Sequence, residues 1–157
     1  LVLALQGCAA VPGGGPAPLD TVTLSALAPS VTETGRASTQ ILVAEPRALK
    51  IHDSQNIVVA TSSTGLEYLG GVQWADRLPA LVQAKIAESL QNAGVAGGVG
   101  LPGQGLAIDY QIITEIRDFS IRTAGGDSAS VALFIKLLND RNGAVIGSRL
   151  FNATVRA

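Results

Sequence analysis

The chain is poor in the residues that build chemical sites. It has one cysteine, Cys8, and one histidine, His52, in 157 residues. A lone cysteine makes no intrachain disulfide, so packing must hold the fold together even in an oxidising compartment. One histidine and one cysteine also leave a His/Cys metal centre short of ligands, and neither zinc nor another metal is expected. Charge of one sign is missing too: 11 Lys and Arg against 12 Asp and Glu give a formal net charge of −1. Such a balance offers no overall field for a phosphate backbone or an anionic membrane surface, and nucleic acid is not an expected partner. No apolar run approaches the roughly 18 to 20 residues that span a bilayer. Any membrane attachment must therefore come through lipid.

What remains is 47% hydrophobic and 15% charged, with 4% aromatic. This is the composition of a domain that depends on its core. Beyond residue 19 there is room for one domain burying roughly two-thirds of its unfolded surface.

The cysteine sits where position gives it meaning. Leu1-Val2-Leu3-Ala4-Leu5 resembles the end of a signal-peptide h-region, and Leu5-Gln6-Gly7-Cys8 closes it in the manner of a bacterial lipobox. In the lipoproteins it resembles, the thiol receives a diacylglyceryl group and cleavage falls just before the cysteine, with a small residue such as Gly7 at the cut. The chain starts without Met, so a charged n-region is expected to have been trimmed from it. Gln6 departs from the usual small or β-branched residue at its place. The competing reading is a buried cysteine beside a hydrophobic strand, since free cysteine packs as a small hydrophobe. The next residues favour the anchor: Ala9-Ala10-Val11-Pro12-Gly13-Gly14-Gly15-Pro16-Ala17-Pro18 can form no core and reads as a semi-extended tether. The expected organisation is residues 1–8 as signal remnant and lipobox, 9–19 as flexible Pro/Gly-rich tether, and 20–157 as the folded domain.

Within that domain, alternation and β-branching predict strands at 21–24, 40–44 and 57–61, with 66–69 extending the sheet before Gly70-Gly71 turns the chain. Residues 26–36 read as loop. Asp76 to Ala93 is the helix: Asp76 is placed to cap it, Pro79 falls in the first turn, and Gly94 sits where C′ belongs. Leu78, Leu81, Val82, Ile86, Leu90 and Ala93 form its apolar face. Residues 106–120 alternate as a long strand, with Ile108, Tyr110, Ile112 and Ile116 on one side and Asp109, Gln111, Glu115 and Arg117 on the other. Phe119 and Ile121 fall out of phase, which predicts a bulge near Arg117-Asp118. Residues 130–138 and 145–155 flank Asn139-Asp140-Arg141-Asn142-Gly143, a hairpin whose register stays open. These elements predict an α+β two-layer domain, a mixed or largely antiparallel sheet with one long helix packed on one face.

Candidate chemistry is thin. Gly98-Val99-Gly100-Leu101-Pro102-Gly103 has the letters of a dinucleotide fingerprint, but it follows a helix and precedes a strand, and it reads as a flexible loop. Ile51-His52-Asp53-Ser54 puts three triad residue types side by side, whereas a triad needs side chains converging on an oxyanion hole. A turn with an exposed histidine accounts for it. Glu115 and Asp118 face opposite sides of a strand unless a bulge intervenes, and read as surface charges. No catalytic residue and no cofactor is expected. Tyr68 and Trp74 are scarce aromatics just before the helix: they either anchor the strand-to-helix connection or form a partner-contact hot spot.

Taken together, Ile41 to Leu49, Ile57-Val58-Val59, Tyr68 with Trp74 to Gln83, Asp109-Tyr110 through Arg117-Asp118-Phe119, and Gly147 to Phe151 resemble the ABC-type transport auxiliary lipoproteins. These accompany MCE-domain proteins in bacterial lipid-transport systems, including the paraquat-inducible type. The resemblance runs from Asp20 onward, and Trp74-Ala75-Asp76-Arg77-Leu78-Pro79 carries it best. It implies a non-enzymatic adaptor, acylated (palmitate-bearing) at Cys8 and held on the periplasmic face of the outer membrane, that meets an MCE-domain partner. Ala9, rather than the aspartate associated with inner-membrane retention, agrees with that membrane. Self-association through a sheet edge or face is a further expectation. The alternative from another class is an envelope lipoprotein that regulates a cell-wall or surface-assembly machine.

Overall fold

A computed structural model describes residues 18–29 and 38–156. Its elements are β1 (Asp20–Val22), β2 (Gln40–Val43), β3 (Arg47–Ala48), β4 (Asn56–Ala60), β5 (Leu66–Trp74), α1 (Leu78–Ala93), β6 (Gly98–Gly100), β7 (Tyr110–Arg122), β8 (Ser128–Asn139) and β9 (Val145–Arg156). The class is α+β: among the described residues, one helix accompanies a nine-stranded mixed sheet.

β7 is the strand on which the sheet is assembled. Rich in β-branched and aromatic residues, it pairs along one side, always in parallel, with β2, β3 and β4 in turn, so these three act as one broken strand. On its other side it pairs antiparallel with β8, which pairs antiparallel with β9. β4 continues antiparallel to β5 and β5 parallel to β1, while β6 runs parallel beside β2.

The predicted bulge is present. Ile116 faces Leu133 and Asp118 faces Ala132, leaving Arg117 as the extra residue. That residue shifts the phase, which is why Phe119 joins Ile116 and Leu133 in the core. Leu78, Val82 and Ile116 are buried at its centre, with Leu24, Ala48, Trp74 and Ile86 packed around them. The side chain of Gln83 ties the helix to β2 by donating to the Val43 carbonyl at 2.9 Å.

Several boundaries differ from expectation. The helix starts at Leu78, because Asp76 does not cap it: its Oδ1 accepts from the Arg77 N–H, one residue too early, and Arg77 takes the N-cap position without a side-chain cap. Gly94 does end it, with φ +62° and its N–H on the Gln91 carbonyl. The long strand begins at Tyr110 rather than Leu106, since Gly103 and Gly105 adopt positive φ in the preceding turn. Gly70-Gly71 does not turn the chain. β5 runs through to Trp74, and the surplus residues are absorbed as an irregularity against β4, with Gly71 at φ +79°.

The stretch from Gly98 is a strand, not a flexible loop: Gly98, Val99 and Gly100 pair in parallel with Gln40, Ile41 and Leu42. The first strand is Asp20–Val22, shorter and earlier than 21–24. The terminal hairpin closes with the Asn139 N–H on the Ala144 carbonyl and the Gly143 N–H on the Asn139 carbonyl, and a bulge beside Leu137 and Leu138 sets its register.

Candidate functional site

The residue types that first suggest catalysis are brought together with structural partners instead. His52 is buried, at 4% exposure, and not the exposed turn residue expected. The 49–53 turn, closed by the His52 and Asp53 N–H groups on the Leu49 carbonyl, directs the ring inward. Burial lowers its pKa, the nearby Asp118 charge partly opposing, and its Nδ1 has no hydrogen-bond partner. Asp53 is taken by the Arg77 guanidinium and the Ser54 hydroxyl oxygen by the Asn56 N–H. His52, Asp53 and Ser54 therefore do not converge on one another as base, carboxylate and nucleophile.

The bulge gives the two carboxylates of β7 different surroundings. Glu115 stays on the surface, paired with Arg117 at 3.1 Å. Asp118 is a hub rather than a simple surface charge: it accepts from Ser120 Oγ at 2.7 Å, Ser130 Oγ at 2.8 Å and Arg122 Nη2 at 2.7 Å. Burial pushes this carboxyl upward, but the three donors and the Arg122 charge outweigh it, and the net shift is below the usual carboxylate range. Asp109 does a comparable task at the other end of the strand. Its oxygens accept the Gln40 N–H at 3.0 Å and Arg141 at 2.9 Å, and its pKa falls for those reasons in that order.

Tyr68 and Trp74 separate. Tyr68 lies on β5 opposite Val58 and is 50% exposed. Trp74 ends the same strand half-buried, its ring edge-on to Phe119 at 5.7 Å and 84°. The backbone N–H of Trp74 donates to the Gln55 carbonyl at 2.7 Å, and that of Ala75 to the Val22 carbonyl at 2.8 Å, fastening the strand-to-helix connection. Cys8 lies outside the described residues. Among the described residues no cluster of three or more His, Cys, Asp or Glu side chains is placed to hold a metal ion, and no helix is long and apolar enough to cross a membrane.

Two surfaces went unread from sequence. β9 is exposed along all twelve residues, including Val145, Ile146, Leu150, Phe151 and Val155, and its outer edge pairs with no strand among the described residues. An apolar cleft of about 340 Å³ opens between α1 and the sheet, walled by Leu24, Val82, Ile86, Leu90, Phe119 and Leu133. The mixed apolar and polar spelling of Val145 to Arg156 was the available signal for β9. The cleft depends on where the helix stops covering β8, which no local pattern encodes.

A protein of Bradyrhizobium diazoefficiens with no described function is 30% identical over 150 residues, 93% of this chain. The chain spans about 40% of that relative's length. A crystal structure from Xanthomonas campestris, described as DUF330, superposes with a TM-score of 0.76 at 23% identity, covering 87% of this chain and 77% of the other. A second crystal structure, of an uncharacterised protein, gives 0.67 at 16% identity, covering 88% and 80%. These two likenesses establish the fold. Residues 23–157 match the family described as the ABC-type transport auxiliary lipoprotein component, and the chain belongs to that family.

Proposed function

We propose that this protein is the non-enzymatic, lipid-anchored adaptor of an MCE/ABC-type lipid-transport system, acting from the periplasmic face of the outer membrane. The observation that carries the reading is the family match over residues 23–157, which makes the domain a lipoprotein auxiliary to ABC transport. Cys8 bears the acyl chains, and more than one chain gives stable anchoring where a single one holds only marginally. Residues 9–19 serve as the tether, reaching about 34 Å if extended at about 3.1 Å per residue. The folded domain beyond it meets an MCE-domain partner and other copies of itself. The outer edge of β9, unpaired among the described residues, and the exposed Tyr68 are the surfaces best suited to such contacts: the edge offers main-chain hydrogen bonds, and a half-exposed tyrosine offers an anchor.

Two measurements test this. Photocrosslinkers placed at Tyr68 and Leu150 in intact cells should yield an adduct with an MCE-domain protein; correctly localised, functional material that yields none would overturn the adaptor reading. Cys8→Ser should abolish palmitate incorporation and leave an unprocessed precursor. A variant that still carried acyl label in the outer-membrane fraction would remove the anchor from the proposal.

A further inference from the structure

The sheet face that α1 does not cover carries a charge pattern that the net charge conceals. Arg47 lies opposite Glu115, Glu115 opposite Phe134, and Phe134 opposite Leu150, so a row of four side chains crosses β3, β7, β8 and β9 on that face. Lys136 stands two residues from Phe134 with its ammonium 5.7 Å from the ring centroid. Arg117, the extra residue of the bulge, has its guanidinium 4.3 Å from the same centroid. Beside them opens a cleft of about 370 Å³ lined by Arg47, Ala48, Leu49, Glu115, Ile116 and Arg117. Among the described residues, Glu115 is the carboxylate at this cleft and it pairs with Arg117, while Arg47 and Lys136 have no ion-pair partner. Leu49 is 72% exposed and Leu150 43%.

We propose that this cleft binds the phosphate headgroup of an anionic phospholipid and so seats the outer sheet face on a bilayer surface. Guanidinium groups match phosphate oxygens two at a time, and two of them line the cleft. The bulge is the device that brings the second one there: without the extra residue, β7 would have no side chain at this point beyond the alternation. Leu49 and Leu150 stand out among the cations, as apolar residues do when they enter the headgroup region. An acidic polypeptide is the poorer fit. β7 is already paired along both sides, so a peptide laid across this face gains no main-chain hydrogen bonds. The site stands on its own geometry and does not depend on the adaptor reading.

The test is flotation of the chain from residue 9 onward, which carries neither the acyl chains nor the apolar run of residues 1–5, with phosphatidylcholine vesicles made with or without phosphatidylglycerol. Binding should require phosphatidylglycerol and weaken with added salt. Arg47→Ala and Lys136→Ala should each lower affinity about fivefold, and Arg47→Ala with Arg117→Ala about 25-fold. Arg117→Lys, which keeps the charge and loses the fork, should fall between parent and Arg117→Ala. Arg141→Ala, at the hairpin and paired to Asp109, should bind as the parent does. Thermal melting of each variant separates lost binding from lost fold. Equal binding to neutral vesicles, no binding to either, or an equal loss in Arg141→Ala would overturn the site. So would release by soluble glycerol phosphate at the same phosphate concentration, which would mark a free-phosphate site, or retention on polyglutamate without vesicle binding, which would mark an acidic protein partner.

Discussion

At the scale of single residues, this protein spends its few titratable buried groups on holding the sheet. His52 is buried with one ring nitrogen unpartnered, and its pKa is lowered by that burial. The unfolded chain therefore binds a proton near pH 6.5 that the folded chain resists. Stability from this residue is complete above about pH 6.5 and declines as the pH drops below it, by at most about 1.4 kcal/mol per unit. His52→Leu, which removes the charging group and keeps an apolar side chain there, should match the parent near pH 8 and flatten the loss between pH 7 and 5 in urea titrations. Asp118 works in the opposite protonation state. Its folded pKa is depressed, so its contribution is present above about pH 3.9 and disappears as the pH falls through the lower folded value. Asp118→Asn keeps the shape and weakens three charge-assisted bonds, with an expected loss of about 1 to 3 kcal/mol at pH 7 and a smaller acid dependence in the same titration. The sequence disclosed neither role. Asp118 read as a surface charge because nothing local to it shows that Ser130 on the neighbouring strand joins Ser120 and Arg122 around it, and His52 read as exposed because a turn residue gives no sign of which way it points.

At the scale of elements, periodic and punctuated segments were legible and short or glycine-dependent ones were not. Leu78, Val82 and Ile86 repeat at helical spacing and Gly94 stops them, so α1 was visible down to its C-terminus. Its N-terminus was misplaced because Asp76 has the right chemistry one residue too early. The two-residue β3 carries no period at all, and Gly98–Gly100 becomes a strand only because β2 lies alongside. The bulge in β7 was legible from the phase break at Phe119, and it yields a sharp prediction. Deleting Arg117 removes the extra residue and lets Asp118 follow Ile116 in plain alternation, so Phe119 still faces Val131 on the core side and the pairing with β8 is kept. That deletion should still fold cooperatively. Arg117→Ala, which keeps the backbone count and removes a contact with Phe134, should cost about 0.5 to 1 kcal/mol by the same denaturation measurement. A deletion variant that fails to fold while Arg117→Ala folds would mean that the bulge preserves the spacing of β3 and β4 along β7.

At the scale of the whole molecule, the sheet is protected unevenly. One half has α1 over it, while β8 and β9 extend beyond the helix, and among the described strands β9 pairs with β8 alone. Proteins usually blunt such an edge with charge, proline or a very short strand. β9 has twelve residues and no proline, and Val145, Ile146 and Val155 are each more than half exposed. An edge of twelve residues that no described strand pairs, beside exposed valines, is costly to keep in water and favourable to pair, so the domain should associate as its concentration rises. Ile146→Lys with Val155→Lys adds two charges to that edge without touching the core, because both side chains already face solvent. The double variant should sediment as a monomer at concentrations where the parent forms larger species, with an unchanged melting temperature. Parent and variant associating alike would place the contact elsewhere on the sheet. A parent that stays monomeric throughout would show that the irregularity beside Leu137 and Leu138 already twists this edge enough to protect it.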